Sequence, residues 1–259
     1  MADTIYTTSK NAIALVTGGS RGLGRSTVLH LAKRGVRSIF TYHSNRAAAD
    51  EVVAAVAAEG GRAIALPLDA GKVSTFDAFV DTLRAALREL GTDRLDFLVN
   101  NAGTSHHDAI AQTTEEALDA LYNVHFKGVF FLTQKLLPIL RDGGRIVNIS
   151  SGLTRFALPN SAPYASMKGA VEVFTRYLAK ELGARGIAAN TVAPGAIQTD
   201  FSGGVVRDNP ELNRFVADNT ALGRAGLPDD IGPLIASLLA EDNRWINGQR
   251  IEASGGMFI

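Results

Sequence analysis

The chain has 259 residues, of which 46% are apolar, so it can bury the core of a full α/β domain, and no linker-like stretch divides it. Its 26 basic and 26 acidic residues balance, which excludes a strong overall attraction to nucleic acid or to an anionic membrane. The lack of cysteine excludes disulfide bonds and thiolate chemistry, and it fits a reducing compartment.

Neither a targeting segment nor a membrane span is predicted. The N-terminus, MADTIYTTSKN, lacks an apolar stretch behind basic residues, and no apolar run in the sequence is long enough to cross a bilayer. We therefore expect a cytoplasmic protein with a single domain over residues 1–259, and neither nucleic acid nor membrane among its partners.

The first predicted element is a strand that runs into a glycine-rich turn. Residues 11–17, NAIALVT, are an apolar run, and GGSRGLG follows directly and opens an amphipathic helix. Gly18, Gly22 and Gly24 let the backbone turn tightly and let a pyrophosphate approach the amide groups at the helix N-terminus, where the helix dipole favours an anion. A strand, a glycine turn and a helix in this order indicate a dinucleotide-binding site.

The second predicted strand, within SIFTYHSNR, ends about twenty residues after the glycines, where an NAD enzyme carries an acidic residue for the ribose 2′-hydroxyl. This chain has Tyr42 there, so no carboxylate would repel a 2′-phosphate, and the site favours NADP(H). The predicted contacts to that end of the cofactor are Arg21, Tyr42, Ser44, Asn45 and Arg46. The alternative is that Arg21 and Arg46 are solvated surface charges.

Further strands alternate with helical segments along the first half of the chain. Residues 46–59 have helical spacing, GGRAIALPLD predicts a strand that ends at Asp69, residues 74–90 predict an amphipathic helix, and RLDFLVNNAG predicts a fourth strand. This alternation indicates right-handed βαβ units and a parallel sheet.

Three reactive side chains are predicted to meet near residue 150. RIVNIS is a β-branched run, so Ser151 lies at the carboxyl end of a strand, where open α/β sheets bind ligands. Ser161 and Pro163 indicate a helix start, and Tyr164 and Lys168 lie four residues apart on one face of that helix. The hydroxyl, the phenol and the ammonium could share one substrate oxygen. The alternative for Tyr164 and Lys168 is an ordinary solvated helix pair.

Acid–base work by Tyr164 at neutral pH requires a change in its pKa. A phenol titrates near pH ~10, so its pKa must fall by roughly three units. We expect two cations to lower it, the Lys168 ammonium and the positive charge of an oxidised nicotinamide.

The motifs T-G-x-x-x-G-x-G over residues 17–24, NNAG over residues 100–103, and Ser151 with Tyr164 and Lys168 resemble the short-chain dehydrogenase/reductase family. The resemblance covers residues 13–256 and implies one doubly wound Rossmann domain, a seven-stranded parallel sheet with helices on both faces. It implies that the serine binds a carbonyl oxygen, the tyrosine exchanges a proton with it, and the lysine anchors the nicotinamide ribose. It also implies cofactor contacts at Gly18, Ser20, Gly22, Leu23, Gly24, Asp69, Asn101, Ala102, Gly103, Pro194, Gly195, Ile197 and Thr199.

The sequence departs from the family pattern at His125. Residues 114–140 predict one long helix, and where the family has V-N-x-x-G this chain has a histidine in place of the asparagine. In the family that asparagine helps to hold a water that returns protons to the lysine. An imidazole can hydrogen-bond water and adds a titratable group, so we predict that His125 replaces the asparagine as a fourth catalytic residue. The alternative is a histidine satisfied in the core.

No metal site is predicted. His106 and His107 follow the NNAG turn, but we find no acidic partner at ligand spacing beside them.

A wall or loop of the substrate pocket is predicted from Arg155, Phe156, Leu158 and Pro159. Residues 199–221 are irregular and glycine-containing, and they predict a substrate lid, with an ordinary surface excursion as the alternative.

The predicted activity is NADP(H)-dependent hydride transfer to a ketone or aldehyde, or from a secondary alcohol. One alternative is a 3-oxoacyl-thioester reductase, for which Arg155, Arg207 and Arg214 would form a basic patch for acidic acyl carrier protein. Another is a catalytically silent NADP-binding regulatory protein, because the asparagine is missing.

The expected partners are a small-molecule carbonyl or alcohol and further copies of the chain, as a dimer or tetramer. In the family the 114–140 helix and the Tyr164 helix commonly pair subunits.

Overall fold

A parallel β-sheet forms the centre of the computed structural model, which describes residues 11–259. Within these residues the sheet has seven strands in the order β3-β2-β1-β4-β5-β6-β7. The strands are β1 (Ile13–Val16), β2 (Arg37–Tyr42), β3 (Ala63–Pro67), β4 (Leu95–Asn100), β5 (Leu140–Ile149), β6 (Ala188–Pro194) and β7 (Arg250–Ala253). All adjacent pairs are parallel. The predicted doubly wound α/β fold is confirmed.

Helices cover both faces of this sheet. They are α1 (Gly22–Lys33), α2 (Arg46–Ala58), α3 (Phe76–Glu89), α4 (Glu115–Tyr122), α5 (Gly128–Leu136), α6 (Ala162–Glu181), α7 (Val205–Asp208), α8 (Pro210–Asp218) and α9 (Pro228–Leu238). None of the helices within residues 11–259 is long and apolar enough to cross a membrane. The N-terminal segment, on which the prediction about targeting rests, lies outside the described residues.

Alternating strand side chains divide the core into two layers. In β1, Ile13 and Leu15 pack with α3, α5 and α6, whereas Ala14 and Val16 pack with α1, α2 and α9. Both faces of the strands are therefore buried, which explains why the strands read as continuous apolar runs. The carboxyl ends of the strands remain available at one edge of the sheet for a ligand.

The helix predicted over residues 114–140 is wrong in two respects. It is interrupted by a π-helical turn at Asn123–Lys127, and it ends at Leu136, so that Leu140 already belongs to β5. Pro138 lacks the amide that a continuing helix would need. At Gly128 an added Cβ would lie 1.9 Å from the Ala70 carbonyl oxygen, so the widened helix packs closely against the segment after β3. Such π-turns are frequent at functional sites, and this one carries His125.

Candidate active site

A cavity of about 710 Å³ runs along the carboxyl ends of the strands. At one end the glycine turn and the residues after β2 line it, and at the other end Ser151, Tyr164 and several apolar side chains line it. This is the position at which open α/β sheets bind nucleotides and substrates. One continuous space can therefore hold a dinucleotide and a second molecule beside it.

The glycine turn is shaped to receive an anion. Gly18 and Gly22 have φ values of 66° and 54°, a conformation that other L-residues rarely adopt. At Gly24 an added Cβ would lie 2.2 Å from the Gly18 carbonyl oxygen, so this glycine allows the turn to close. No side chain caps α1 at Arg21, and its first turn contains no acidic residue. The unsatisfied amides of the first turn and the helix dipole together suit a pyrophosphate.

Hydrogen bonds join this turn to the NNAG segment. The Thr17 hydroxyl accepts hydrogen bonds from the amides of Asn101 and Ala102, both at 2.9 Å. The Asn101 side-chain amide donates to the carbonyl oxygens of Thr17 and Gly18, at 2.8 and 3.1 Å. Sequence reasoning assigned Asn101 and Ala102 to cofactor contacts, but it missed Thr17, which holds the two turns together.

Most of the predicted cofactor residues line the cavity. These are Gly18, Ser20, Arg21, Gly22, Leu23, Tyr42, Ser44, Asn45, Asp69, Asn101, Ala102, Gly103, Tyr164, Lys168, Pro194, Gly195, Ile197 and Thr199. Two predicted residues are not brought to it. Gly24 lies behind the turn, and Arg46 is an exposed side chain whose Nε lies 3.5 Å from the Asp50 carboxylate. The contact of Arg46 with the cofactor therefore stays a prediction.

His43 is a cavity residue that sequence reasoning missed. It follows β2 directly, and its Nε2 lies 3.8 Å from the Asp69 carboxylate across the mouth of the cavity. A histidine after a strand belongs to no pattern, so only its position could identify it. It adds a polar group beside Ser44 and Asn45, at the end where a 2′-phosphate would lie.

The three reactive side chains meet as predicted from the sequence. Ser151 follows β5, and Tyr164 and Lys168 lie on one face of α6, which begins at Ala162 as predicted. The Ser151 hydroxyl hydrogen-bonds the Tyr164 phenol. The Lys168 ammonium donates to the Ile149 carbonyl oxygen at 2.8 Å and lies 5.6 Å from the centre of the Tyr164 ring. Both side chains are buried rather than solvated.

The expected lowering of the Tyr164 pKa is wrong for the protein alone. Burial raises the pKa of Tyr164, because the phenolate loses its hydration, and the hydrogen bond to Ser151 opposes this only in part. Burial also lowers the pKa of Lys168 to about 7, so at neutral pH this group is only partly a cation. The phenol is thus protonated at neutral pH, which is the state that a proton donor needs.

His125 is buried and carries a fixed tautomer. Its Nε2 lies 2.7 Å from the Thr104 carbonyl oxygen and 3.2 Å from the Thr104 amide nitrogen. A single nitrogen cannot both donate and accept here, and the shorter contact, to an acceptor, indicates that Nε2 carries the proton. Nδ1 is then an unprotonated acceptor, buried with no partner among the described residues. The ring stands edge-on to the Tyr164 ring, with centroids 5.2 Å apart.

His125 does not supply the titratable group expected from the sequence. Burial, and next the charge of Lys168, lower its pKa to about 3, so the imidazole is neutral across the physiological range. Its proton is committed to Thr104, the first residue after NNAG. The contact with Thr104 ties the π-turn to the loop that borders the cavity, and a neutral imidazole is not a proton reservoir near pH 7.

We predict that His125→Asn leaves the shape of the pH–rate profile between pH 5 and 9 unchanged, because the histidine does not titrate there. Stability should respond instead. In the wild type the unfolded imidazole takes up a proton as pH falls below about 6.5 whereas the folded one does not, so folding free energy is lost between pH 6.5 and about 3. Melting temperatures at pH 7 and pH 5 should differ less in the variant. An inflection that disappears from the variant's rate profile would contradict this assignment.

Apolar side chains form the substrate end of the cavity. Phe201 lies over Tyr164, with ring centroids 5.9 Å apart. The other apolar residues here are Phe156, Leu158, Pro159, Val205, Val206, Leu212, Phe215, Val216 and Met257. The predicted wall residues Phe156, Leu158 and Pro159 thus line the cavity, but Arg155 does not. A bulky, largely apolar substrate fits this surface.

The segment over the substrate end has an unusual backbone. Ser202, Gly203 and Gly204 all have positive φ, at 55°, 69° and 79°, before α7 and α8 follow. The His107 Nε2 lies 3.1 Å from the Ser202 hydroxyl oxygen, so this segment is joined to the loop after β4.

Two of the three arginines of the predicted basic patch form ion pairs within the chain. Arg155 binds Glu252 through two hydrogen bonds, at 2.6 and 2.8 Å. Arg207 binds Asp200 at 2.6 Å and Asp208 at 2.7 Å. Their charges are compensated, and Arg214 does not line the cavity.

The three histidines that were considered for a metal site have separate partners. His106 Nε2 lies 2.6 Å from the Asp108 carboxylate, so the statement that it lacks an acidic partner is wrong. His107 contacts Ser202, and His125 contacts Thr104. Across residues 11–259 no three histidine or acidic side chains are grouped as metal ligands would be.

Comparison with known proteins agrees with this geometry. A family model described as enoyl-(acyl carrier protein) reductase matches residues 18–258. The chain is 38% identical to the hydroxynaphthalene reductase-like protein Arp2 of Metarhizium brunneum, over 94% of each chain.

Two solved structures superpose closely. The promiscuous reductase LugOII, which catalyses keto-reduction at C1 during lugdunomycin biosynthesis, has a TM-score of 0.91 at 41% identity, over 96% of this chain and 98% of its own. The angucycline C-6 ketoreductase LanV, solved with bound NADP, has a TM-score of 0.90 at 37% identity, over 95% of each chain. The fold, the glycine turn and the cluster of Ser151, Tyr164 and Lys168 agree with these matches, and the chain belongs to the short-chain dehydrogenase/reductase family.

Proposed function

We propose that this oxidoreductase uses NADPH to reduce a ketone carbonyl on a bulky, largely apolar cyclic substrate. The observation that carries the proposal is the continuous cavity, which joins an anion-binding glycine turn to a buried, protonated tyrosine beside an apolar wall. LugOII and LanV are ketoreductases by name, and LanV holds NADP. The reverse reaction would use the corresponding secondary alcohol.

The residues along the cavity fit NADP(H). The glycine turn and the uncapped start of α1 would bind the pyrophosphate, and Arg21, Ser44 and Asn45 would bind the 2′-phosphate, with Lys168 at the nicotinamide ribose. Tyr42 stands where a carboxylate would select NAD. When bound, NADPH would supply the hydride that the carbonyl carbon accepts.

Three side chains of the chain then act on the carbonyl oxygen. Ser151 hydrogen-bonds the oxygen and orients it, and Tyr164 donates its proton as negative charge develops there. The phenolate that remains is stabilised by the ammonium of Lys168 next to its ring. The raised pKa of Tyr164 keeps the phenol protonated before the reaction, which is the state that carbonyl reduction requires.

The apolar wall supports an aromatic or polycyclic ketone rather than a carrier-bound thioester. Phe156, Phe201 and Phe215 offer ring faces against which a planar molecule could stack. The hydroxynaphthalene and angucycline names of the relatives describe fused-ring compounds. A 3-oxoacyl thioester on acyl carrier protein is the second candidate, but the compensated charges of Arg155 and Arg207 weigh against it.

A substrate panel tests the proposal. NADPH oxidation would be measured with fused-ring aromatic ketones, simple ketones and aldehydes, quinones, sugars, and 3-oxoacyl and enoyl thioesters. We expect the highest kcat/KM for the fused-ring ketones. Preferential turnover of a thioester would favour the carrier-protein alternative. Tight NADPH binding without turnover of any compound would favour a regulatory protein.

Arg21 is predicted to select the phosphorylated cofactor. Charge-assisted hydrogen bonds to a phosphate contribute roughly 1.5–3 kcal/mol, so Arg21→Ala should raise the Kd for NADPH about 10-fold or more while the Kd for NADH changes little. Fluorescence titration of both cofactors measures this. Arg25→Ala, which removes another exposed arginine of the same turn and helix, is the matched control and should bind both cofactors as the wild type does. Equal loss of both affinities in Arg21→Ala would contradict the assignment.

Residues 199–221 are proposed to be a substrate lid within one domain that spans residues 1–259. The left-handed residues 202–204 and the contact between His107 and Ser202 support a segment that can open and close as a unit. His107→Ala should increase the rate of hydrogen exchange in α7 and α8 when NADPH is bound. Unchanged exchange would argue for an ordinary surface segment.

Further copies of the chain are the proposed macromolecular partners. Leu118 and Tyr122 on α4, and Val173 and Tyr177 on α6, are exposed apolar or aromatic side chains on two helices that pack together. Such a face favours self-association into a dimer or homotetramer. Light scattering would decide between these and the 27.4 kDa monomer.

The balanced charge and the lack of cysteine support a cytoplasmic protein without a nucleic-acid or membrane partner.

A further inference from the structure

Four charged side chains form an ion-pair network behind the catalytic serine. Arg250 Nε lies 2.8 Å from Glu172 Oε1, and Arg250 Nη1 lies 2.8 Å from Glu252 Oε2. Arg155 binds both oxygens of Glu252, at 2.6 and 2.8 Å. We call these residues the quartet. Its two arginines and two glutamates balance, and the two glutamates are only 13% and 18% exposed.

One side of the quartet holds the loop that carries Ser151. Glu172 Oε1 accepts hydrogen bonds from the hydroxyls of Ser150 and Thr154, both at 2.7 Å. Arg250 Nη2 donates to the carbonyl oxygen of Ser151 at 3.3 Å. The loop is thus held before, at and after the residue whose hydroxyl meets Tyr164.

The other side of the quartet holds the C-terminal segment. Arg155 donates to the carbonyl oxygens of Met257 and Phe258, at 2.6 and 3.0 Å. The Met257 side chain is 2% exposed and lines the substrate end of the cavity. The amides of Ala221 and Leu222, which follow α8, donate to Gly256 and Gly255 of the same segment.

We propose, on the basis of the proposed ketone reduction, that the quartet positions two parts of the site together, with Arg250 as the positioning residue for Ser151 and Arg155 as the positioning residue for the Met257 wall. Neither arginine contacts the reacting atoms. Arg250 determines where the serine hydroxyl stands, and Arg155 determines how much room the substrate has.

The chemistry of the four side chains suits this task. A planar guanidinium makes several hydrogen bonds in fixed directions, so it orients its partners, whereas an ammonium acts as a point charge. Hydrogen bonds from Arg155, and then from Arg250 and Ser254, lower the pKa of Glu252 to about 2, so this carboxylate is charged at neutral pH. Arg155 is thus committed to partners within the chain, where sequence reasoning had made it a docking cation.

The two arginines should give different kinetic signatures. Arg250→Met should lower kcat about 10-fold or more, because a small displacement of Ser151 spoils the alignment on the carbonyl, with the NADPH Kd within about twofold of the wild type. Arg250→Lys should recover part of kcat, since lysine restores the positive charge but not the directed hydrogen bonds of the planar guanidinium.

Arg155→Met should raise KM for a fused-ring ketone about 10-fold and change kcat little. Arg176→Met, an exposed arginine of α6, is the matched control.

Amide hydrogen exchange of the NADPH-bound protein provides a readout that does not depend on turnover. Exchange should increase at residues 152–155 in Arg250→Met and at residues 257–258 in Arg155→Met, and remain unchanged in Arg176→Met. Wild-type exchange at both segments would overturn the proposal, as would a wild-type kcat in Arg250→Met. If the wild type reduces no ketone, the proposed function fails, while the exchange data still decide whether the quartet positions the two segments.

Discussion

Replacing Tyr164 with phenylalanine should lower kcat for ketone reduction about 10³-fold and leave the NADPH Kd nearly unchanged. The phenol is the buried proton donor in contact with Ser151, and phenylalanine preserves its ring, its packing against Phe201 and its place beside His125. Only the proton and the hydrogen bond are removed. Steady-state kinetics with a fused-ring ketone, together with fluorescence titration of NADPH, separates the loss of chemistry from any loss of binding.

Tyr177→Phe is the matched control for this change. It removes a phenol hydroxyl from the same helix and keeps the aromatic ring that the proposed self-association face presents. The side chain is 63% exposed and does not line the cavity. We expect wild-type kcat and KM from it. A Tyr164→Phe protein that kept more than about a tenth of the wild-type kcat would mean that another group or water donates the proton.

Replacing Lys168 with methionine should lower kcat/KM for the ketone about 10²-fold or more and also weaken NADPH binding. The ammonium is anchored to the Ile149 carbonyl beside the Tyr164 ring, so its loss removes the charge that stabilises the phenolate after proton donation. It also removes a proposed donor to the nicotinamide ribose. Methionine keeps the length and the apolar stem, which limits the effect of the change on packing.

The pH dependence of kcat/KM should identify Lys168 as the group whose titration changes the rate. Its pKa lies at about 7, and the charged form exists below that value, so kcat/KM of the wild type should fall as pH rises through about 7. Lys168→Met should lack this decline. Lys180→Met, at an exposed lysine near the end of α6, should retain both the wild-type profile and the wild-type NADPH Kd. A Lys168→Met protein with the same decline would assign the titration to another group.

Local patterns were sufficient for the nucleotide half of the site. An apolar strand, three glycines and an amphipathic helix follow one another in the chain, and their geometry depends on neighbours in sequence. Ser151, Tyr164 and Lys168 were also predictable, because one follows a strand and the other two share a helix face. Their meeting follows from the topology of a parallel sheet, whose strand ends converge.

The electrostatic state of the site was not predictable in this way. The pKa of Tyr164 rises rather than falls because burial outweighs the hydrogen bond to Ser151, and His125 stays neutral because burial and the Lys168 charge both lower its pKa. Burial is set by residues far apart in the chain. The ion pair of Arg155 could not be predicted from local patterns either, because its partner Glu252 lies 97 residues away in sequence. The apolar periodicity of residues 114–140 does not indicate the π-turn at His125. Gly128, which permits the close approach to Ala70, is the sequence feature that accompanies this turn.

The central claim is that the carbonyl carbon of a bound ketone accepts a hydride from NADPH while Tyr164 protonates its oxygen. Mass spectrometry of the alcohol formed with NADPH deuterated at the nicotinamide C4, using each of the two C4 isotopomers in turn, tests it most directly. The account predicts that one isotopomer gives an alcohol with a single deuterium on the former carbonyl carbon, and that Tyr164→Phe forms this product far more slowly. Deuterium absent from the product with both isotopomers, or present at a reduced carbon–carbon double bond instead, would contradict it.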